Sequence, residues 1–203
     1  MAKRREENEV EFSRIVAFSD GVFAIAITLL ILNVAIDPNL RTGEVGHALW
    51  EEREALLSYA ISFAVIARFW LIHHRFFGEV QAFDSRLIGL NMVYLGFVVL
   101  IPFSSEVLGE YANAPAAVTL YSANLIGVVL LGWLMAADAR RAGLTAIDDE
   151  RGYEAAVHAI FIISVFLISI PVAFINVRIA PLLWLLLFFD SADRLIRRRE
   201  RHG

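Results

Sequence analysis

The chain has no cysteine among its 203 residues, so disulfides, thiolate catalysis and cysteine-based metal sites are excluded from the start. Only 5 prolines interrupt it, and charged residues make up 20%, below the roughly 25% usual for soluble domains. No GxxxxGK[ST] phosphate loop and no HExxH helix is present, which removes the usual signatures of nucleotide hydrolysis and zinc proteolysis. The TVGYG filter of conventional potassium channels is also absent. The stretches between apolar runs are too short to hold a separate soluble domain, and no catalytic constellation faces water. The expectation is a protein that is not an enzyme, with no cofactor, no bound metal and no nucleic-acid partner.

Apolar residues are abundant. They make up 58% of the chain, and its mean hydropathy is +0.61. A soluble protein of this size has too little interior to hide that much apolar surface, so the solvent for much of the chain is lipid. A helix needs about 20 mostly apolar residues to cross the hydrocarbon core. Six stretches qualify, at about 15–36, 55–77, 86–105, 116–137, 153–176 and 179–195. Asp37-Pro38 ends the first, Pro115 opens the fourth, Pro171 is placed to kink the fifth, and the sixth is short. Only Asn176-Val177-Arg178 separates the last two. The runs are too long for strands, and in lipid the backbone must satisfy itself internally. The expected fold is therefore all-α, one polytopic membrane domain over 1–203 with six spans. The first run is longer than a signal-peptide core and has no small-residue cleavage triplet at its end, so it is expected to be retained.

Charge sets the expected orientation. One side collects Lys3, Arg4, Arg5, Arg14, Arg75, Arg86, Arg140, Arg141, Arg151, Arg194, Arg197, Arg198, Arg199 and Arg201, whereas the other has only Arg41, Arg53 and Arg178. The positive-inside rule then puts both termini in the cytoplasm, in the cell (inner) membrane. Arg68 is left within the second span.

The informative residues are the polar ones inside spans, which are costly there and face protein or water. The first span, RIVAFSDGVFAIAITLLIL over 14–32, carries Ser19, Asp20 and Thr28. At about 100° per residue, Phe18, Gly21, Ile25, Thr28 or Leu29, and Leu32 share one face, and Asp20 falls on another. By periodicity alone that stripe is either ordinary helix packing or a functional face, and Thr28 is able to bond back to its own helix. Asp20 and the second span's Trp70, His73 and His74 lie at similar depth if the two spans are antiparallel neighbours. They read either as a polar clasp between helices or as a proton relay. Adjacent histidines point about 100° apart and make a poor metal pair. Asn91, Ser164 and Ser169 are further polar residues in later spans.

Arg14, Phe18, Ser19 and Asp20 form an RxxxFSD pattern, which resembles the signature of the lysosomal and endosomal potassium channel family, transmembrane protein 175, in its prokaryotic six-helix branch. FWLIHHRFF at 69–77 and PFSSEVLGEY at 102–111 are similar to that family's second- and third-helix ends. The resemblance implies a potassium-selective cation channel assembled as a homotetramer, with four copies of the first helix lining the pore. Carried over by distance from the motif, it implies constrictions at Ile25 and Leu32 and a selectivity hydroxyl at Thr28. Gly21 and Leu29 complete the pore face, and Arg14, Phe18, Ser19 and Asp20 brace the helix from behind, against partners among Trp70, His73 and His74. The alternative is a proton-coupled secondary transporter using Asp20 and His73 or His74.

Overall fold

The computed structural model describes residues 3–33, 41 and 43–187. Five long helices carry the fold: α1 (Glu9–Leu29), α3 (Arg53–Gly78), α4 (Ser85–Glu110), α5 (Pro115–Arg141) and α6 (Asp149–Ile175). A short α2 (Val45–Glu51) precedes α3, and a 3-10 helix, Ala180–Leu185, follows α6. By length and composition α1 with its extension to Leu32, α4, α5 and α6 are each able to cross a membrane. At 26 residues α3 is long enough but more polar. The chain is a multi-pass membrane protein.

Local chemistry explains the helix limits. The Asp84 carboxylate accepts from Leu87 N at 2.8 Å and the Asp148 carboxylate from Arg151 N at 2.8 Å, capping α4 and α6. Pro115 opens α5, where its missing N–H costs nothing. The end of α5 needs a left-handed residue, and Gly143 supplies it at φ 66°. Gly143 N then donates to Arg140 O (3.0 Å) and Leu144 N to Ala139 O (2.8 Å).

Beyond the short α2, the structure adds further features to the expected outline. α1 begins at Glu9 rather than Ile15, because its first turns are polar and invisible to an apolar count. Beyond Leu29 the same helix tightens into a 3-10 turn over Leu30–Asn33. Two two-residue strands, β1 (Lys3–Arg4) and β2 (Ala82–Phe83), pair antiparallel. The ends expected at Asp37-Pro38 and within 188–195, and the basic tail, lie outside the described residues.

The core has two main parts. Around the middle, Phe23 and Ala26 of α1 meet Ile66 of α3, Tyr94, Val98 and Ile101 of α4, and Leu125 and Val128 of α5. At the end bearing the N-terminus, Phe12 packs with Phe76, Phe77, Val80, Phe83, Leu87, Met135 and Leu144. Here three segments are sewn together through backbone. Arg5 N donates to Gln81 O (2.9 Å), Gln81 N to Leu144 O (2.8 Å) and Ala146 N to Glu79 O (3.0 Å). The guanidinium of Arg5 lies 4.6 Å from the Phe12 ring centroid.

Pro102 lies inside α4 and removes one helical donor. The fully paired orientation of the buried Asn124 amide, from α5, splints the turn next to it. Its nitrogen donates to Phe97 O at 3.1 Å, and its oxygen accepts from Ile101 N at 3.2 Å and Ser104 Oγ at 3.1 Å. One turn away, Gly127 of α5 presses on the Phe97 ring so closely that a Cβ there would overlap it. Gly127→Ala is therefore expected to cost about 1–3 kcal/mol of stability. A thermal melt of the detergent-solubilised protein checks it, and an unchanged midpoint would show that α4 and α5 have slack.

Candidate pore helix and its brace

Two opposite faces of α1 differ sharply. Phe12, Ser19, Phe23 and Ala26 are buried against the rest of the subunit, with Leu30 continuing the line. Arg14, Phe18, Gly21, Ile25, Thr28, Leu29 and Leu32 are exposed. The exposure is large for apolar side chains: 54% for Phe18, 59% for Ile25 and 70% for Leu32. The stripe advances by alternating steps of four and three residues from Arg14 through Phe18, Gly21, Ile25 and Thr28 to Leu32. That is the spacing of a seam between packed helices.

The buried face is held by hydrogen bonds. Asn91 of α4 donates through Nδ2 to Ser19 Oγ at 3.0 Å, and Ser19 Oγ donates to Ile15 O at 3.0 Å. With the Asn91 nitrogen committed, its Oδ1 is the acceptor, so His73 of α3 donates through Nε2 at 2.8 Å. This assigns the His73 tautomer. The imidazole is sandwiched in aromatic contacts, with Tyr94 stacked at 5.4 Å, Phe77 at 4.6 Å and Phe23 at 5.3 Å. Beside this chain, Trp70 Nε1 of α3 donates to Asp20 Oδ1 at 2.8 Å. His74 is exposed and lies against the Trp70 ring at 5.3 Å. In a medium without water each unmade bond would leave a polar group stranded, so the set pins α1 to α3 and α4.

The structure thus divides the RxxxFSD segment. Ser19 and Asp20 make the bracing bonds, whereas Arg14 and Phe18 point the other way, onto the exposed stripe, and take no part in them. Of the expected partners, Trp70 binds Asp20, His73 binds Asn91 rather than Asp20, and His74 reaches the brace only by packing on Trp70. Asn91 is the member of the brace that the sequence does not mark out from the other polar residues of the later spans. Its signal was an amide near the start of a span, at the depth where antiparallel α1 and α3 place Ser19 and His73. Arg68 lies on an exposed side of α3.

Thr28 sits on the exposed stripe and donates its hydroxyl proton to Ile25 O at 2.9 Å. With its proton committed there, the exposed hydroxyl oxygen has acceptor capacity to offer. Among the described residues no group of three or more His, Asp or Glu is placed to hold a metal ion.

A helical membrane protein with one helix braced behind and bare in front defines the class, and comparison with known proteins gives the family. A family model described as the endosomal/lysosomal potassium channel TMEM175 matches residues 14–102. The potassium channel Cha6605_3372 of Chamaesiphon minutus is 34% identical over 152 residues, covering 70% of this chain and 72% of that protein. The potassium channel B446_29190 of Streptomyces collinus is 37% identical over 124 residues, and the match spans 59% of this chain and 60% of the relative's length. The Gallus gallus endosomal/lysosomal proton channel TMEM175 is 40% identical over 109 residues, only 22% of its own length. A crystal structure of a lysosomal potassium-selective channel TMEM175 homolog from Chamaesiphon minutus superposes with a TM-score of 0.72 at 28% identity, covering 91% of this chain and 98% of that one. The chain belongs to the TMEM175 family, and the relatives it matches are named as ion channels, not enzymes.

The brace makes a graded prediction. Asp20→Asn keeps an acceptor for Trp70 and is expected to be mild. Asp20→Leu and Trp70→Phe each leave a half-buried partner unpaired and are expected to cost about 1 kcal/mol or more. Asn91→Leu leaves His73 Nε2–H without its acceptor and takes the Asn91 donor from Ser19 Oγ, which keeps its bond to Ile15 O, and is expected to cost most. Melting of the purified variants gives the order, and equal midpoints for Asp20→Asn and Asp20→Leu would contradict it.

Proposed function

We propose that the protein is a passive, potassium-selective cation channel, built as a homotetramer around four copies of α1. The observation that carries this reading is the exposed stripe on α1, apolar except for Arg14 and Thr28, on a helix whose opposite face is fastened to α3 and α4. A pore needs several such helices, and closed rotational symmetry supplies them. Four Ile25 and four Leu32 side chains form apolar constrictions, which control conduction by excluding water. Four Thr28 oxygens between them take over part of the hydration shell of a passing cation. Gly21 and Leu29 complete the wall. In this reading all of 1–203 is one membrane domain crossing the inner membrane six times, α3 included, with both termini in the cytoplasm as the distribution of Lys and Arg indicates. The names of the bacterial relatives support potassium as the ion.

The second reading is proton-coupled transport through Asp20 and His73 or His74. The local geometry disfavours it: Asp20 is bonded to Trp70, His73 to Asn91, and none of the hydrogen bonds described above joins the two. Proton conduction is the more pointed rival, because the vertebrate relatives are named proton channels. Recording potassium, sodium and proton currents on reconstituted protein separates the three. A current requiring a pH gradient and lost in Asp20→Asn would favour the transporter, and proton current far exceeding potassium current would favour the proton channel.

Thr28→Val removes the hydroxyl layer while keeping its volume, and is expected to lower potassium over sodium preference by about three- to tenfold, equivalent to about 0.7–1.4 kcal/mol. Ile25→Ala is expected to raise conductance and weaken selectivity. Bi-ionic reversal potentials and single-channel amplitudes measure both. If neither variant changes ion preference or conductance, Ile25 and Thr28 do not line the path.

A further inference from the structure

One cation shares the stripe with the constriction residues. Arg14 precedes Ile25 by eleven residues, or about three helical turns, which returns it to within about 20° of the same direction and about 16 Å nearer the N-terminus. It is exposed, and no hydrogen bond or ion pair engages its guanidinium within the described residues of the subunit. The positions three and four away on its own face offer no free counter-charge. Val10, Ala17 and Phe18 are apolar, and Glu11, about 60° round the helix, is bonded to Lys3 at 2.7 Å. The helix also starts well before the apolar stretch, at Glu9, so Arg14 stands on rigid helix and not on a loose arm. This start is anchored, because β1 pairs with β2 and Phe12 is buried only two residues before Arg14.

We propose that Arg14 and its three symmetry copies form a positively charged ring at the N-terminal mouth of the pore. This ring limits cation entry from that side and makes conduction unequal in the two directions. The inference rests on the α1-lined pore proposed above. Four guanidinium groups around one axis lower the local concentration of potassium in the mouth, whereas the far mouth has no equivalent ring on α1. Under the proposed orientation the affected mouth is cytoplasmic, so outward current is depressed more than inward current. Because the groups face water rather than protein, mobile ions screen them, and the asymmetry depends on salt.

The test is single-channel recording in planar bilayers with equal potassium on both sides, at low and high salt. At about 20 mM salt, Arg14→Gln is expected to change the ratio of currents at opposite voltages by about threefold or more, and Arg14→Lys, which keeps the charge, is expected to match wild type. In wild type alone, the asymmetry is expected to shrink as salt rises to about 1 M, where the Debye length is about 3 Å. This arm stands even if Arg14→Gln fails to assemble. A wild-type current ratio unaffected by salt, or a ratio unchanged in Arg14→Gln, overturns the ring. Loss of the tetramer in both Arg14→Gln and Arg14→Lys, with salt-independent wild-type currents, also overturns it and makes Arg14 a contact between subunits. Thr28→Val, recorded alongside, keeps the two readings apart. If it alters ion preference while Arg14→Gln is silent, the pore stands and the ring falls. If both are silent, the pore reading itself fails.

Discussion

The hydrogen bonds that fix the rotation of α1 are the constraint on which the rest depends. A helix in lipid gains little by burying apolar residues against apolar neighbours, because lipid tails are equally apolar. Its angle about its own axis must be set by something directional. Ser19 bonded through Asn91 to His73, and Asp20 bonded to Trp70, supply that direction from two adjacent positions about 100° apart. Once those two residues are fixed, the directions of Gly21, Ile25 and Thr28 follow from the helical repeat, and a slip of one residue would turn the stripe away. A buried amide and imidazole are costly in this medium unless every bond is made, and here the same bonds decide which face of the helix is left bare.

The remainder of the subunit holds the two ends of this arrangement steady. At the N-terminal end, β1, the α3–α4 turn and the α5–α6 turn share backbone hydrogen bonds, so α1 starts from a closed joint. Farther along, Asn124 repairs the turn of α4 that Pro102 disturbs, and α4 is the helix that carries Asn91. Gly127 lets α5 approach closely enough for that repair. The chain of dependence runs from a glycine and an asparagine on α5, through a splinted α4, to the amide that orients α1.

Much of this was legible in the sequence, for physical reasons. Lipid imposes helix and sets its length, so apolar runs alone locate α1, α4, α5 and α6. The polar residues Ser19, Asp20 and His73 stood out because lipid penalises them, and Trp70 as a donor at the depth of Asp20. The family resemblance, more than periodicity, pointed to Ile25, Thr28 and Leu32. What the sequence hid lies outside those rules. The polar first turns of α1, the short α2 and the β1–β2 pair carry no apolar signal. The pairing of His73 with Asn91 rather than Asp20 depends on the relative rotation of three helices. The RxxxFSD motif reads as one unit, yet its members face opposite ways, because residues 14 and 18 lie on a different side of the helix from 19.

The chain's lack of cysteine makes the central claim directly measurable. Single cysteines placed at Gly21, Ile25, Thr28 and Leu32, and in parallel at Ser19, Phe23, Ala26 and Leu30, can be challenged with a charged thiol reagent while potassium current is recorded. The account predicts that reagent changes the current at the first set and leaves the second untouched. Modification of the second set with the first silent would place the ion path on the other side of α1 and contradict it.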